Sequence, residues 1–209
     1  MVYSLSEKYL MLAIPAKGKF GYTKEKKLLL VASGLSQLLI ENTVTLDNKT
    51  FEVIGPLHKD STEIKSLFDV LEKKPTQIWK IVRKYMIGFR ARKRFGVLLT
   101  SIGTSLRDKG ALEENPDENL YIPKKSEIDS TVAELRDGLL GNEELSEENA
   151  TLAFLLHKAN KLKEYFSEDE IKIIDDKLEN TENNQAVDQM IKTLKLMHLV
   201  MISLMASRV

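Results

Sequence analysis

The chain has 209 residues, enough for one domain with its own hydrophobic core, although two small domains would also fit. It contains no cysteine, which excludes disulfides, cysteine zinc sites and thiol catalysis and suits a reducing compartment. Its 31 basic and 31 acidic residues give a net charge of zero. The first residues show neither a basic leader nor a small-residue cleavage site. We therefore expect one domain over residues 1–209, in the cytoplasm.

Acidic and basic residues are distributed unevenly along the chain. No acidic residue occurs between Glu72 and Asp108. That interval holds a series of cations: Lys73, Lys74, Lys80, Arg83, Lys84, Arg90, Arg92, Lys93, Arg94 and Arg107. Such a split indicates a basic face that meets a phosphate-bearing partner, either an anionic membrane or nucleic acid. Alternatively, these cations form an ordinary solvated face that pairs with the acidic C-terminal half and binds no partner.

The N-terminal third predicts two helices and a hairpin. Ser4 and Glu7 have the spacing of a capping box, so a short helix should begin there and stop at Pro15. Three lysines open the next helix: Lys24, Lys26 and Lys27. The alternating residues 43–54 predict a β-hairpin.

The loop between these helices contains two aromatic residues, Phe20 and Tyr22, that we expect to be exposed. Aromatic rings favour the headgroup depth of a membrane. Together with Lys26 and Lys27 they predict a second contact with an anionic surface.

In the middle of the chain, Gly88 and the basic run 89–94 are predicted to form a connector, followed by an amphipathic helix over residues 95–106. Residues 119–123 predict the return strand of a second short hairpin. Three further helices are predicted to start at serines: Ser126, Ser146 and Ser167.

The C-terminal stretch 186–206 changes character along its length. From Leu196 onward its apolar residues no longer keep to one face, which predicts a helix that is buried on all sides. A membrane span is excluded because the uncharged run is shorter than the roughly 20 residues that a span requires. The predicted fold is therefore mainly α, a helical bundle around a hydrophobic C-terminal helix with two short β-hairpins.

Catalytic motifs are missing from the sequence. It has no glycine-rich phosphate loop, no serine nucleophile elbow and no cluster of metal ligands. The histidines His58, His157 and His198 stand apart from one another, and Trp79 is predicted to be a partly buried packing residue. We therefore predict no catalytic residue, no cofactor and no metal site.

A nucleic-acid-binding protein is the rival interpretation. Residues 34–56 and 103–124 share the layout of an apolar helix followed by a short hairpin, which also occurs in winged-helix domains. A helix that reads bases needs polar and cationic side chains, and residues 28–40 and 95–106 carry no charge. A nucleic-acid partner is therefore disfavoured.

Several pieces of the chain, taken in order, resemble the Golgi phosphoprotein 3 family, which includes bacterial relatives. The pieces are SEKYLMLAI, ASGLSQLLIENTVTLDNKTFEVIGP, SLRDKGAL, TLAFLLHKANKL and AVDQMIKTLKLMHLVMISLMA. The resemblance spans nearly the whole chain. It implies a bundle with a hydrophobic central helix and a protruding hairpin. It also implies a peripheral membrane protein that binds phosphatidylinositol 4-phosphate in a basic pocket and acts as an adaptor for glycosyltransferase retention.

The resemblance assigns particular positions to the hairpin and to the pocket. The hairpin, implicated in self-association, corresponds to Glu114–Pro123 and implies a homo-oligomer. The family's pocket uses one tryptophan and three arginines. In this sequence their positions hold other residues: Lys27, Ser36, Gly96 and Leu99.

We therefore predict a non-enzymatic peripheral membrane protein that binds anionic phospholipid, with phosphatidylinositol 4-phosphate as the candidate headgroup, and acts as an adaptor. The predicted phosphate-binding residues are Arg90, Arg92, Lys93 and Arg94, with Lys26 and Lys27 as the second contact. The alternatives are a winged-helix-like nucleic-acid binder and a protein–protein adaptor that has lost lipid binding.

Overall fold

The computed structural model describes residues 2–15, 17–21, 23–115, 117, 120–181 and 184–206. Within these ranges the protein is mainly α, as predicted, with nine α-helices and one small sheet. The helices are α1 (Leu5–Ala13), α2 (Lys24–Ile40), α3 (Lys65–Glu72), α4 (Ile78–Met86), α5 (Phe89–Asp108), α6 (Lys125–Leu140), α7 (Glu147–Lys158), α8 (Glu168–Glu179) and α9 (Gln185–Ala206). The strands are β1 (Val44–Asp47), β2 (Thr50–Val53) and β3 (Thr76–Gln77).

The innermost helix is α1. The predicted capping box is formed, because Ser4 Oγ accepts a hydrogen bond from the Glu7 N–H and the Glu7 carboxylate accepts one from the Ser4 N–H. Every residue of α1 is buried, and the helix contacts α2, α5, α6 and α7. The bundle is thus assembled around the first helix of the chain.

The structure is the predicted mainly α bundle, but the prediction that the C-terminal helix is buried on all sides is wrong. The buried residues of α9 follow one side of the helix: Val187, Met190, Ile191, Leu194 and Met197. This side packs against α2, α4 and α7, whereas Leu199 is 62% exposed and Ile202 is 46% exposed. An all-round apolar sequence permits burial on every side, but burial also requires neighbours on every side. In the described part of the chain, no helix is both long and apolar enough to cross a bilayer.

The first predicted hairpin is confirmed. Strands β1 and β2 pair antiparallel across Asn48 and Lys49, and both turn residues have positive φ, which suits the right-handed twist of a tight hairpin. Strand β3 adds a third, unpredicted strand to this sheet by pairing Phe51 with Thr76. Its two residues are too few to show an alternating pattern.

Where the second hairpin was predicted, the described residues form a single antiparallel bridge, between Leu112 and Pro123. The Glu113 N–H donates to the Ile122 carbonyl over 2.8 Å, and Asn119 lies outside the described residues. Tyr121 is buried against Gly103 of α5, where an added Cβ would overlap its ring. A partner that contacts the Glu114–Pro123 segment would therefore use residues other than Tyr121.

Candidate functional site

The sequence predicted that the basic run 89–94 is a connector, and this is wrong. The run forms the first turns of the 20-residue helix α5. Gly88 provides the break before it, with a φ of 90° that favours glycine. Ala91 and Phe95 are buried and fix this end of α5 to the core. The end of α4 and the start of α5 therefore form a corner that is rich in arginine and lysine.

A cleft of about 680 Å³ lies at this corner, and we name it the α4–α5 cleft. It forms because α4 buries one face, through Ile78, Ile81 and Tyr85, and turns its cationic face to solvent. The residues that line the cleft are Lys74, Thr76, Trp79, Lys80, Arg83, Lys84, Ile87, Gly88, Phe89, Arg90 and Arg94.

The α4–α5 cleft carries concentrated positive charge. Six of its lining residues are lysine or arginine and none is acidic. Among the ion pairs of the described residues, none involves one of these six cations. Partial burial, followed by the charges of Arg94 and Lys74, lowers the pKa of Lys84. An anion that enters the cleft would relieve this repulsion.

Backbone groups at the corner add to the same field. The N-cap of α5 is Gly88, which offers no side-chain cap, and the first turn contains no acidic residue. The N–H groups of a first helical turn lack intrahelical partners and carry partial positive charge. Arg94 donates from Nη1 to the Lys84 carbonyl over 3.3 Å, which ties α5 to the end of α4.

Two aromatic residues at the cleft were missed by the sequence reasoning. Trp79, predicted to be a partly buried packing residue, is 40% exposed and lines the cleft, and Phe89 is 97% exposed. The Trp79 Nε1–H donates to Gln77 Oε1 over 2.9 Å, and Lys80 Nζ lies 5.4 Å from the centroid of the indole. The helical spacing of Trp79 and Arg83, four residues apart, was the signal that places them on one face.

The structure separates the four predicted cations of residues 90–94. Arg90 and Arg94 both line the cleft, because residues four apart share one face of a helix. Arg92 and Lys93 are exposed but do not line it. Arg92 points about 200° around the helix from Arg90, given about 100° per residue.

Lys26 and Lys27 lie elsewhere, in the first turn of α2. Lys27 Nζ is 5.5 Å from the centroid of the Phe95 ring. Phe20 was predicted to be exposed and is instead 4% exposed, because its ring packs 6.0 Å from that of Phe95. Tyr22 lies outside the described residues. The two lysines form a cluster separate from the cleft.

Two of the four positions that the resemblance assigns to the family's pocket are buried in this chain. Ser36 is fully buried and Leu99 is 4% exposed, so neither can meet a headgroup. The described cations instead gather around α4 and the start of α5.

The start of α5 is basic, which corrects the expectation that this candidate recognition helix carries no charge. The helix that begins at Phe89 is basic in its first half, although its sequence was interpreted as uncharged from residue 95 onward. Arg90 and Arg94 nevertheless line a cleft beside α4, whereas a groove-reading helix presents its cations outward. Among the described residues, no group of three histidine or acidic side chains could hold a metal.

Comparison with known proteins gives one result. The model of a protein family described as Golgi phosphoprotein 3 (GPP34) matches residues 5–194, a range that includes α1, the cleft and the first half of α9. A search of curated proteins found no match.

Proposed function

Because the chain belongs to the Golgi phosphoprotein 3 family, we propose that it is a non-enzymatic peripheral membrane protein whose α4–α5 cleft binds the headgroup of an anionic phospholipid. The observation that carries the proposal is the set of six cations around one cleft that no acidic residue lines. Uncompensated positive charge of this kind attracts anionic ligands and surfaces.

The chemistry of the cleft suits a phosphate group. Arg83, Arg90 and Arg94 can each donate two parallel hydrogen bonds to phosphate oxygens. Lysines such as Lys80 and Lys84 add point charges, each contributing about 1 kcal/mol near an anionic surface. The volume of the cleft, about 680 Å³, falls within the range of about 300–1,000 Å³ that is typical of small-molecule binding pockets. Phosphatidylinositol 4-phosphate, with its exposed phosphomonoester, is the proposed preferred headgroup.

The same proposal places the protein at the cytoplasmic surface of a membrane as an adaptor. Binding through one corner of the bundle leaves the other faces open to a protein partner, including α9 with its exposed Leu199 and Ile202. The Glu114–Pro123 segment is the proposed contact for a homo-oligomer.

Vesicle co-sedimentation tests this function. We expect no binding to neutral phosphatidylcholine, weak binding to vesicles with phosphatidylserine, and the strongest binding to vesicles with phosphatidylinositol 4-phosphate. Raising the salt concentration should remove the phosphatidylserine binding first, because exposed charges are screened more than charges in a cleft.

The two anionic vesicles should be compared at equal surface charge, so that a difference reports the headgroup and not the charge density. Failure to bind either anionic vesicle at low salt would contradict the proposed function. Equal binding to both would contradict the preference for phosphatidylinositol 4-phosphate.

A further inference from the structure

Phe89 is the most exposed aromatic side chain at the cleft, with 97% of its surface open to solvent. The register of α5 explains this, because the buried face begins with Ala91, two residues and about 200° further around the helix. A Cβ built on the neighbouring Gly88 would meet no atom within 4 Å. The corner between α4 and α5 therefore projects away from the body of the bundle.

Trp79 provides a second aromatic surface on the same cleft. It is 40% exposed, and the hydrogen bond from its indole nitrogen to Gln77 holds the ring in place. Single exposed apolar residues are common and require no explanation. Two large aromatic rings that line one cleft together with six cations do require an explanation.

We propose that Phe89 and Trp79 enter the interfacial layer of the bilayer while the cations of the α4–α5 cleft hold phosphate groups at its surface. This inference rests on the proposed function and adds a hydrophobic anchor to it. Aromatic rings concentrate at the headgroup level of membranes. Interfacial binding gains strength from buried apolar area in addition to attraction between charges. The positive charge around the two rings matches an anionic bilayer and opposes insertion into a basic protein groove.

The consequence is a component of binding that salt does not remove. Electrostatic attachment weakens as ionic strength rises, whereas burial of an aromatic ring does not depend on screening. Wild-type protein should therefore keep part of its affinity for anionic vesicles at high salt.

The test uses Trp79, which is the only tryptophan of the chain, as an internal probe. On vesicles that contain phosphatidylinositol 4-phosphate, its fluorescence should shift to shorter wavelength, and lipids brominated near the headgroup should quench it. A Trp79→Phe/Phe89→Trp variant moves the probe to the tip of the corner and should show the same quenching. Phe89→Ser should weaken vesicle binding about tenfold, equivalent to about 1.4 kcal/mol, and should reduce the salt-resistant part, because Trp79 remains as the second ring of the anchor.

The matched control is Ile173→Ser on α8, which removes a side chain that is 49% exposed away from the cleft. It should leave vesicle binding unchanged. Wild-type binding with unquenched Trp79, or with full affinity retained by Phe89→Ser, would overturn the anchor and leave the proposed function standing. Absence of wild-type binding to every vesicle would overturn both.

Discussion

Replacing Arg90 and Arg94 together with serine is expected to weaken binding to vesicles that contain phosphatidylinositol 4-phosphate by about a hundredfold or more. Both side chains line the α4–α5 cleft. A hydrogen bond to a charged group contributes about 1.5–3 kcal/mol, so the loss of two such contacts corresponds to about 3 kcal/mol at least. Co-sedimentation or surface plasmon resonance on supported bilayers measures the change.

The chain supplies a matched control on the same helix. Arg92→Ser with Lys93→Ser removes the same number of charges from neighbouring positions, but these side chains are exposed and do not line the cleft. Their loss should cost at most about thirtyfold, because each contributes only long-range attraction of about 1 kcal/mol or less, and the two together about 2 kcal/mol or less. Equal losses for the two pairs would contradict a specific cleft and would favour attachment through net charge alone. The melting temperature of the control variant should stay near that of the wild type, and that of the Arg90 and Arg94 variant should fall only slightly, because one hydrogen bond from Arg94 to the Lys84 carbonyl is lost.

The largest expected effect on stability comes from Glu7→Ala. Glu7 is fully buried in α1. Its carboxylate accepts hydrogen bonds from Lys109 Nζ over 2.6 Å, Ser105 Oγ over 2.7 Å and the Ser4 N–H over 2.7 Å. The substitution removes the capping box and the ion pair that joins α1 to the end of α5.

Breaking a buried ion pair costs about 3–5 kcal/mol. Because the Lys109 side chain is 31% exposed and can regain water, we expect the free energy of unfolding to fall by about 3 kcal/mol. Chemical denaturation measures this loss. Asp169→Ala is the control, because that carboxylate is 90% exposed and pairs only with Lys172 among the described residues. It should change stability by less than about 0.5 kcal/mol. A similar loss of unfolding free energy in both variants would contradict a stabilising role for the buried hydrogen bonds and ion pair of Glu7.

Local signals predicted the helix starts at Ser4, Ser146 and Ser167. Helix α6, predicted to start at Ser126, begins instead at Lys125 and has no side-chain cap. The capping boxes at Ser4 and Ser167 depend on residues three positions apart, so the sequence alone contains them. The start of α5 could not be predicted in this way, because Gly88 offers no capping side chain. The helix includes the basic run, and burial of Ala91 and Phe95 fixes this part of it to the core.

The sequence predicted the cations of the candidate site but not which of them share a cleft. The acid-free interval located the cations, and their spacing should have separated Arg90 and Arg94 from Arg92. The contribution of α4 follows from its apolar face, since the burial of Ile78 and Val82 turns Trp79 and Arg83 outward. The burial of Phe20 and the exposure of Leu199 depend on which helices lie beside them, and neither periodicity nor composition contains that information.

The measurement that tests the central claim most directly is an NMR titration of the wild-type protein with water-soluble, short-chain phosphatidylinositol 4-phosphate. Arginine side-chain N–H signals report each site separately. We predict saturable shifts for Arg83, Arg90 and Arg94 and for the indole N–H of Trp79. Arg136, which pairs with Glu170 on the opposite half of the chain, should not shift. Shifts confined to the amides of Lys26 and Lys27, or no shifts at all, would contradict binding in the α4–α5 cleft.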